Sequence, residues 1–313
     1  MPTINFKGKE VVRNYHFAVP YHELVPDEEK SLTKKVSLND NLIIHGDNLI
    51  ALKALLPTYA GRVKCIYIDP PYNTGNEKWV YNDNMNSPMM REWLGGVVDK
   101  DDLARHDKWL CMMMPRLKLL KELLCEDGVI FVSIDDNEVS ALKQLMNEVF
   151  FEDNFIGQIV WRKRPNPPND SKFIGRIHEY ILGYRKTDAI QNFEKLERFD
   201  FSAYANPDDD PKGDWKTSPL VLTETQARPN LTYQIVSPSG KSFLHPHGWR
   251  IEKKLFDQLN ANNEIYWGEK GDSFPMRKRY LSEDEGMLFN SIALSFGTTI
   301  TARKEIKNIF NTL

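Results

Sequence analysis

Asp69, Pro70, Pro71 and Tyr72 follow directly on the mostly apolar run KCIYI, residues 64 to 68. An apolar run of that length reads as a buried strand. Two consecutive prolines fix φ near −65°, remove two backbone donors and push Asp69 and Pro70 into extended geometry. What remains is a rigid bend with free carbonyls beside a carboxylate and an aromatic ring. A carboxylate and a proline carbonyl together accept hydrogen bonds and donate none. They suit a planar molecule carrying an amino group with two hydrogens to give. Tyr72 offers that ring a stacking surface, a contact of about 1–3 kcal/mol. A Pro-Pro pair alone is more often a stiff turn; D-P-P-Y after a strand and before Asn73 is a much more specific arrangement.

The elements around the bend read as α/β. Leu42 to His45 is expected to be a short strand, Gly46 a tight turn, and Asp47 or Asn48 the cap of a helix striped by Leu49, Leu52, Leu55 and Leu56. The second strand is Val63 to Ile68. A polar loop over 73–101 leads to a long helix carrying Leu110, Met113, Leu117, Leu120 and Leu124, with Pro115 inside it, ended by Asp127-Gly128. VIFVSI at 129–134 has the continuous apolar character of a strand covered on both faces, and Asp135 is expected to cap a helix striped by Val139, Leu142, Met146 and Val149. This alternation predicts a doubly wound, mostly parallel sheet, extended by an antiparallel edge hairpin of 155–161 and 179–184. Ligands of such sheets bind beyond the carboxyl ends of the strands, where the D-P-P-Y bend falls.

Organisation along the chain follows texture. Residues 1–40 form a polar N-terminal arm, 41–186 the α/β half with the bend, 187–280 a loop-rich insertion of short aromatic and proline-containing runs, and 281–313 a segment that returns to helical spacing. Hydrophobic content of 41%, charged content of 27% and a net charge of −3 over 313 residues exclude a strongly basic nucleic-acid coat or a disordered chain. Basic surface must then be local. Residues 161–186 carry seven Lys and Arg against two acids, interleaved with Trp161, Phe173 and Tyr180. Arg162, Lys163, Arg164, Lys172 and Arg176 are therefore candidates for contacts to phosphates, with Arg277, Lys278 and Arg279 a weaker second set. Cys65, Cys111 and Cys125 lack metal-ligand spacing and sit in apolar runs, which predicts buried free thiols in a reducing cytoplasm. No stretch approaches the roughly 20 apolar residues of a membrane helix, and the seven histidines form no ligand cluster.

LIIHGDNLIALKALLPTYAGRVKCIYIDPPYNTGN, HDKWLCMMMPRLKLLKELLCEDGVIFVSIDDNEV, HEYILGYRK and RPNLTYQIVSPSGK resemble the amino-methylating DNA methyltransferases, specifically the modification subunits of type III restriction systems and their adenine-specific relatives. The resemblance runs through most of residues 40 to 310. It implies the fold of the class I S-adenosylmethionine-dependent methyltransferases, with a target-recognition domain in the loop-rich insertion. It also implies S-adenosylmethionine as cofactor, with Asp47 and Asp69 reaching it, and double-stranded DNA as substrate. A second modification subunit and a restriction subunit are the implied protein partners. On this reading an adenine is flipped from the duplex, stacks on Tyr72, and gives its amino hydrogens to Asp69 and the Pro70 carbonyl. The same four residues also serve some cytosine-amino methylases, and a recognition fragment without turnover is a further alternative. One departure stands out. Relatives with this motif order carry a glycine-rich F-x-G-x-G loop downstream, whereas SFGTT at 295–299 lacks the second glycine and a preceding apolar strand. The chain is thus expected to be a member truncated before its cofactor-binding half.

Overall fold

The computed structural model describes residues 3–33, 35–74, 105–167, 173–196, 201–222, 229–294 and 296–310. Two compact units emerge: Met1–Phe193 with Asn290–Leu313, and Glu194–Phe289. Most of the expected 73–101 loop and Lys172 lie outside the described residues.

In the first unit, helix α1 (Asn48–Tyr59) starts on Asp47, whose Oδ1 accepts from the amides of Leu49 at 2.9 Å and Ile50 at 3.2 Å. That satisfies two amides the helix itself cannot, the ordinary work of an N-cap aspartate. Strand β1 (Val63–Ile68) follows, then helix α2 (Arg105–Leu123), which passes through Pro115 with Leu110, Met113, Leu117 and Leu120 buried. Strand β2 (Leu124–Ile134) lies parallel to β1, and helix α3 (Val139–Phe150) buries Leu142, Met146 and Val149. Strands β3 (Phe155–Arg162) and β4 (His178–Arg185) form the antiparallel hairpin.

Three expectations fail here, each for a physical reason. Residues 42–45 form no strand: Ile43 is fully exposed, and no described strand offers them a ladder, which extended backbone needs in order to count as sheet. The long helix ends at Leu123, not at Asp127-Gly128. Leu124 pairs with Val63 but Val129 already pairs with Cys65, so Cys125 to Gly128 are extra residues bulging from β2. Asp135 builds the turn before α3, its Oδ1 accepting from the Asn137 amide at 2.9 Å, while the cap position itself is Glu138.

The sheet order is β1-β2-β4-β3-β10, where β10 is Ile292–Ala293, parallel to β3. The hairpin is thus inserted between β2 and a short outer strand and is not an edge. Of the three strands expected to run parallel, β1 and β2 are present, and with the antiparallel pairs of β4 the sheet is mixed. Its buried side is apolar: Ile130, Val132, Ile134, Leu182 and Tyr184 are almost wholly covered by α2 and α3. Burial also separates the cysteines, since Cys111 is buried, Cys125 half-buried and Cys65 exposed. The helix nearest the carboxyl end among the described residues spans Thr299–Phe310.

The second unit has its own core of Leu220, Ile235, Trp249, Phe256, Leu259, Ile265 and Trp267. Its sheet orders β5 (Trp215–Pro219), β9 (Met276–Tyr280) and β8 (Ile265–Tyr266), all antiparallel. Helix α4 (Lys253–Ala261) supplies Phe256 and Leu259. The IVSPSGKSF stretch folds as a hairpin of β6 (Ile235–Val236) and β7 (Ser242–Phe243), turned at Gly240 with φ 85°. Lys278 is not available to a ligand. It is buried, with Nζ at 2.5 Å from Asp208 Oδ2 and 2.6 Å from Asp210 Oδ2.

Candidate active site

The bend begins where β1 stops. Ile66 and Ile68 anchor the strand in the core cluster or against it, and Asp69 comes out exposed just beyond the last paired residue. The two prolines then turn the chain so that their carbonyls diverge in fate. The Pro71 carbonyl accepts the indole N–H of buried Trp109 from α2 at 2.6 Å. The Pro70 carbonyl has no protein donor among the described residues. One acceptor is therefore taken by α2 and its neighbour is left open.

Tyr72 packs against the margin of the core cluster, with its hydroxyl close to the Asp69 carboxylate. Burial first, and then the Asp69 carboxylate as acceptor, push the phenol well above its usual range, so it stays a donor. The tyrosine thus places a donor beside the aspartate as well as presenting a ring. An ionised carboxylate has about four acceptor positions, so one phenol leaves room for an amino group. Asn73 adopts a left-handed φ of 55°, and its Nδ2 donates to Glu138 Oε1 and, at 3.3 Å, to the Arg105 carbonyl. His106 Nδ1 lies 2.7 Å from the same Glu138 oxygen.

Neighbouring strand ends add polar groups. Tyr67 Oη and Ser133 Oγ are 2.6 Å apart across β1 and β2. At the start of β4, Tyr180 Oη donates to Asp136 Oδ1 at 2.8 Å, and His178 Nε2 lies 2.9 Å from that hydroxyl. Asp135 and Asp136 thus have separate structural partners.

The candidate phosphate contacts are dispersed. Lys163 is paired with Glu179 at 2.6 Å, both partly buried. Arg176 is exposed and pairs with Asp136 at 3.2 Å. Arg162 reaches the Leu294 carbonyl at 3.3 Å and is half-buried. Arg164 is half-buried with its amide on the Ile177 carbonyl. Much of the local positive charge is therefore balanced within the protein. Asp47, the other expected ligand-binding residue, uses Oδ1 for its cap and is exposed.

Trp109, Asn73, His106 and Glu138 escaped the sequence reading as site residues. Asn73 and Trp109 stand inside the segments that carry the resemblance, but nothing in their spacing shows that α2 and α3 converge on the bend.

A model of the family described as DNA methylase, of the N6/N4 type, matches residues 63–247. The chain is 32% identical over 320 residues to the type III restriction-modification enzyme StyLTI Mod subunit of Salmonella typhimurium, covering 98% of this chain and 49% of that protein. It is 34% identical over 299 residues to the EcoPI Mod subunit of Escherichia phage P1, covering 92% of this chain and 42% of that one. Against the type II methyltransferase M.KpnI of Klebsiella pneumoniae it is 40% identical over 170 residues, or 54% and 38% of the two chains. The chain thus spans about half the length of these Mod subunits or less. The match over 63–247 takes in the bend, the β2–β4–β3 sheet and much of the second unit, and on it the chain belongs to the DNA methylase family.

Proposed function

We propose that this chain is the catalytic and target-recognition part of a DNA methyltransferase that moves a methyl group from S-adenosylmethionine to the exocyclic amino group of adenine. The observation that carries the proposal is the split fate of the two proline carbonyls: Pro71 is held by Trp109, while Pro70 stays open beside Asp69. Two open acceptors on adjacent residues match an amino group with two hydrogens.

The chain's own residues then do three things. Asp69 and the Pro70 carbonyl accept the amino hydrogens and draw the nitrogen lone pair out of conjugation with the ring. The Tyr72 hydroxyl holds the Asp69 carboxylate in place, and the tyrosine ring supplies a face for the base. The cluster of acceptors also favours departure of a proton from the nitrogen once the new bond forms. The donor set fits the cofactor in kind: the second oxygen of Asp47, free of the cap, and Asp69 could hold its hydroxyl or ammonium groups. When bound, S-adenosylmethionine supplies an already activated methyl on its sulfonium.

Duplex DNA is the proposed substrate. Arg162, Lys163, Arg164, Lys172 and Arg176 on one side, and the 187–280 region as recognition domain, are its proposed contacts. A second modification subunit and a restriction subunit are the proposed partners in a cytoplasmic restriction-modification system. Among the described residues no helix is long and apolar enough to cross a membrane. The test is transfer of labelled methyl from S-adenosylmethionine to unmodified bacterial DNA by the full-length protein, followed by digestion to nucleosides. N6-methyladenine supports the reading; N4-methylcytosine redirects it to cytosine; DNA binding without transfer reduces the chain to a recognition fragment.

A further inference from the structure

Glu138 is the least expected group near the bend. Its side chain is wholly buried, and although it stands at the N-cap of α3 it makes no cap hydrogen bond. It turns away from its own helix. Oε1 receives Asn73 and lies against His106, whereas Oε2 is buried with no partner among the described residues. A buried carboxylate with one bare oxygen is costly, and a cap or an apolar residue would serve α3 better. Groups kept at such cost mark places where geometry matters more than stability.

The geometry that Glu138 controls is the far end of the bend. Asn73 sits in the left-handed region, which asparagine tolerates better than most residues, and its side chain is tethered to Glu138 and to the Arg105 carbonyl. Trp109 ties down Pro71 two residues earlier in the chain. The bend is thereby clamped from α2 and α3 just after the two groups that must face outward. A rigid pair of prolines transmits an error in the Asn73 tether directly to Pro70 and Asp69.

We propose that Glu138 is a positioning residue which, through Asn73, sets the direction in which the Asp69 carboxylate and the Pro70 carbonyl face an amino group. The proposal rests on the functional reading above. Because misplacement by about 1 Å can cost about 10²-fold in rate, Glu138→Ala and Asn73→Gly should each lower kcat by about that factor. The KM for S-adenosylmethionine should not change. Asn73→Gly keeps the backbone conformation accessible and removes only the tether.

The deciding experiment measures methyl transfer by the full-length protein and five variants: these two, their combination, and Asn73→Asp with and without Glu138→Gln. Acting as one unit, the two residues should give a double variant no slower than the slower single one. Asn73→Asp alone sets two carboxylates face to face and should be slow. Adding Glu138→Gln restores a donor opposite the new acceptor and should recover most of the rate. Losses that multiply, absence of rescue, or a lower melting temperature with normal kcat would each make Glu138 a packing residue and overturn the proposal. If Glu138→Ala fails to fold, Asn73→Gly and the rescue pair still decide. Wild-type protein that transfers no methyl overturns the functional reading and this proposal with it, whereas active wild type with an equally active Asn73→Gly overturns the proposal alone.

Discussion

Two acidic, proline-framed segments of this molecule meet opposite ends. In the second unit, Asn206-Pro207-Asp208-Asp209-Asp210-Pro211 has two of its three acids, Asp208 and Asp210, well supplied with donors. Asp208 accepts Trp215 Nε1 at 2.8 Å and Lys278 Nζ at 2.5 Å, and Asp210 accepts Lys278 Nζ at 2.6 Å, Tyr280 Oη at 2.9 Å and the Lys212 amide at 3.0 Å. In the first unit, Asp69-Pro70-Pro71-Tyr72 has only the neighbouring Tyr72 hydroxyl close to its acid and no donor on the Pro70 carbonyl among the described residues. Composition does not separate them. What does is whether the rest of the fold sends donors: one segment is a staple, the other a receptor.

The sharpest way to break this contrast is to unpair the staple. Lys278→Ala leaves two acids without their common cation, and loss of one partner of a buried pair costs about 3–5 kcal/mol. Denaturant unfolding of the second unit should show a loss of that size; a change below about 1 kcal/mol would mean that the acids find water instead. The matching change at the receptor is Asp69→Ala. Removal of one preorganised group at a reacting centre costs about 10²–10³ in rate. Since Asp69 is exposed, its melting temperature should stay within the scatter of ordinary surface changes.

Acid should separate the two units as well. Burial pushes the Asp210 carboxyl up, but the hydrogen bonds of Lys278, the Lys212 amide and Tyr280 outweigh it and hold it below the usual range. A lowered carboxyl contributes stability that is complete above its unfolded value of 3.8 and is lost as pH falls through the folded one. His16 in the first unit behaves differently. Burial, then Lys118 and Lys53, push it down from 6.5 to about 4, so the unfolded chain takes up its proton first. First-unit stability should decline between pH 6.5 and about 4 and then level off. Thermal melts against pH should therefore resolve an earlier and a later acid loss, and His16→Gln should flatten the earlier one.

The smallest effect concerns phosphates. Arg164→Ala should lower DNA affinity alike at all sequences and reduce the salt slope by about 1. A shift in site preference would instead make Arg164 a reader of bases.

The sequence made the receptor legible because its causes are local. A strand, two prolines and an acid define a bend within a few residues, and the Leu and Met stripes of α1, α2 and α3 depend only on helical spacing. What it concealed depends on distant chain. The Trp109–Pro71 and Asn73–Glu138 bonds span 38 and 65 residues, and neither partner has a local signature. Residues 42–45 carry strand composition, yet a strand is defined by a neighbour that their own sequence cannot name. Within the basic run, Lys163 and Arg176 pair with Glu179 and Asp136, contacts that arise from strand and turn geometry and that spacing alone does not show.

The bond from Trp109 to the Pro71 carbonyl also makes the bend observable. An indole N–H held at 2.6 Å by a carbonyl has a resonance set by that one contact. In a spectrum of protein labelled with nitrogen-15 at its seven tryptophans, Trp109→Phe identifies the signal by its disappearance. Its position then reports the state of Pro71 on the side of the bend that no ligand touches. An amino-bearing base that pulled the bend outward would lengthen this bond and move the resonance upfield, while one received without strain would leave it in place. The buried indole is thus an internal gauge of how well the receptor is preformed.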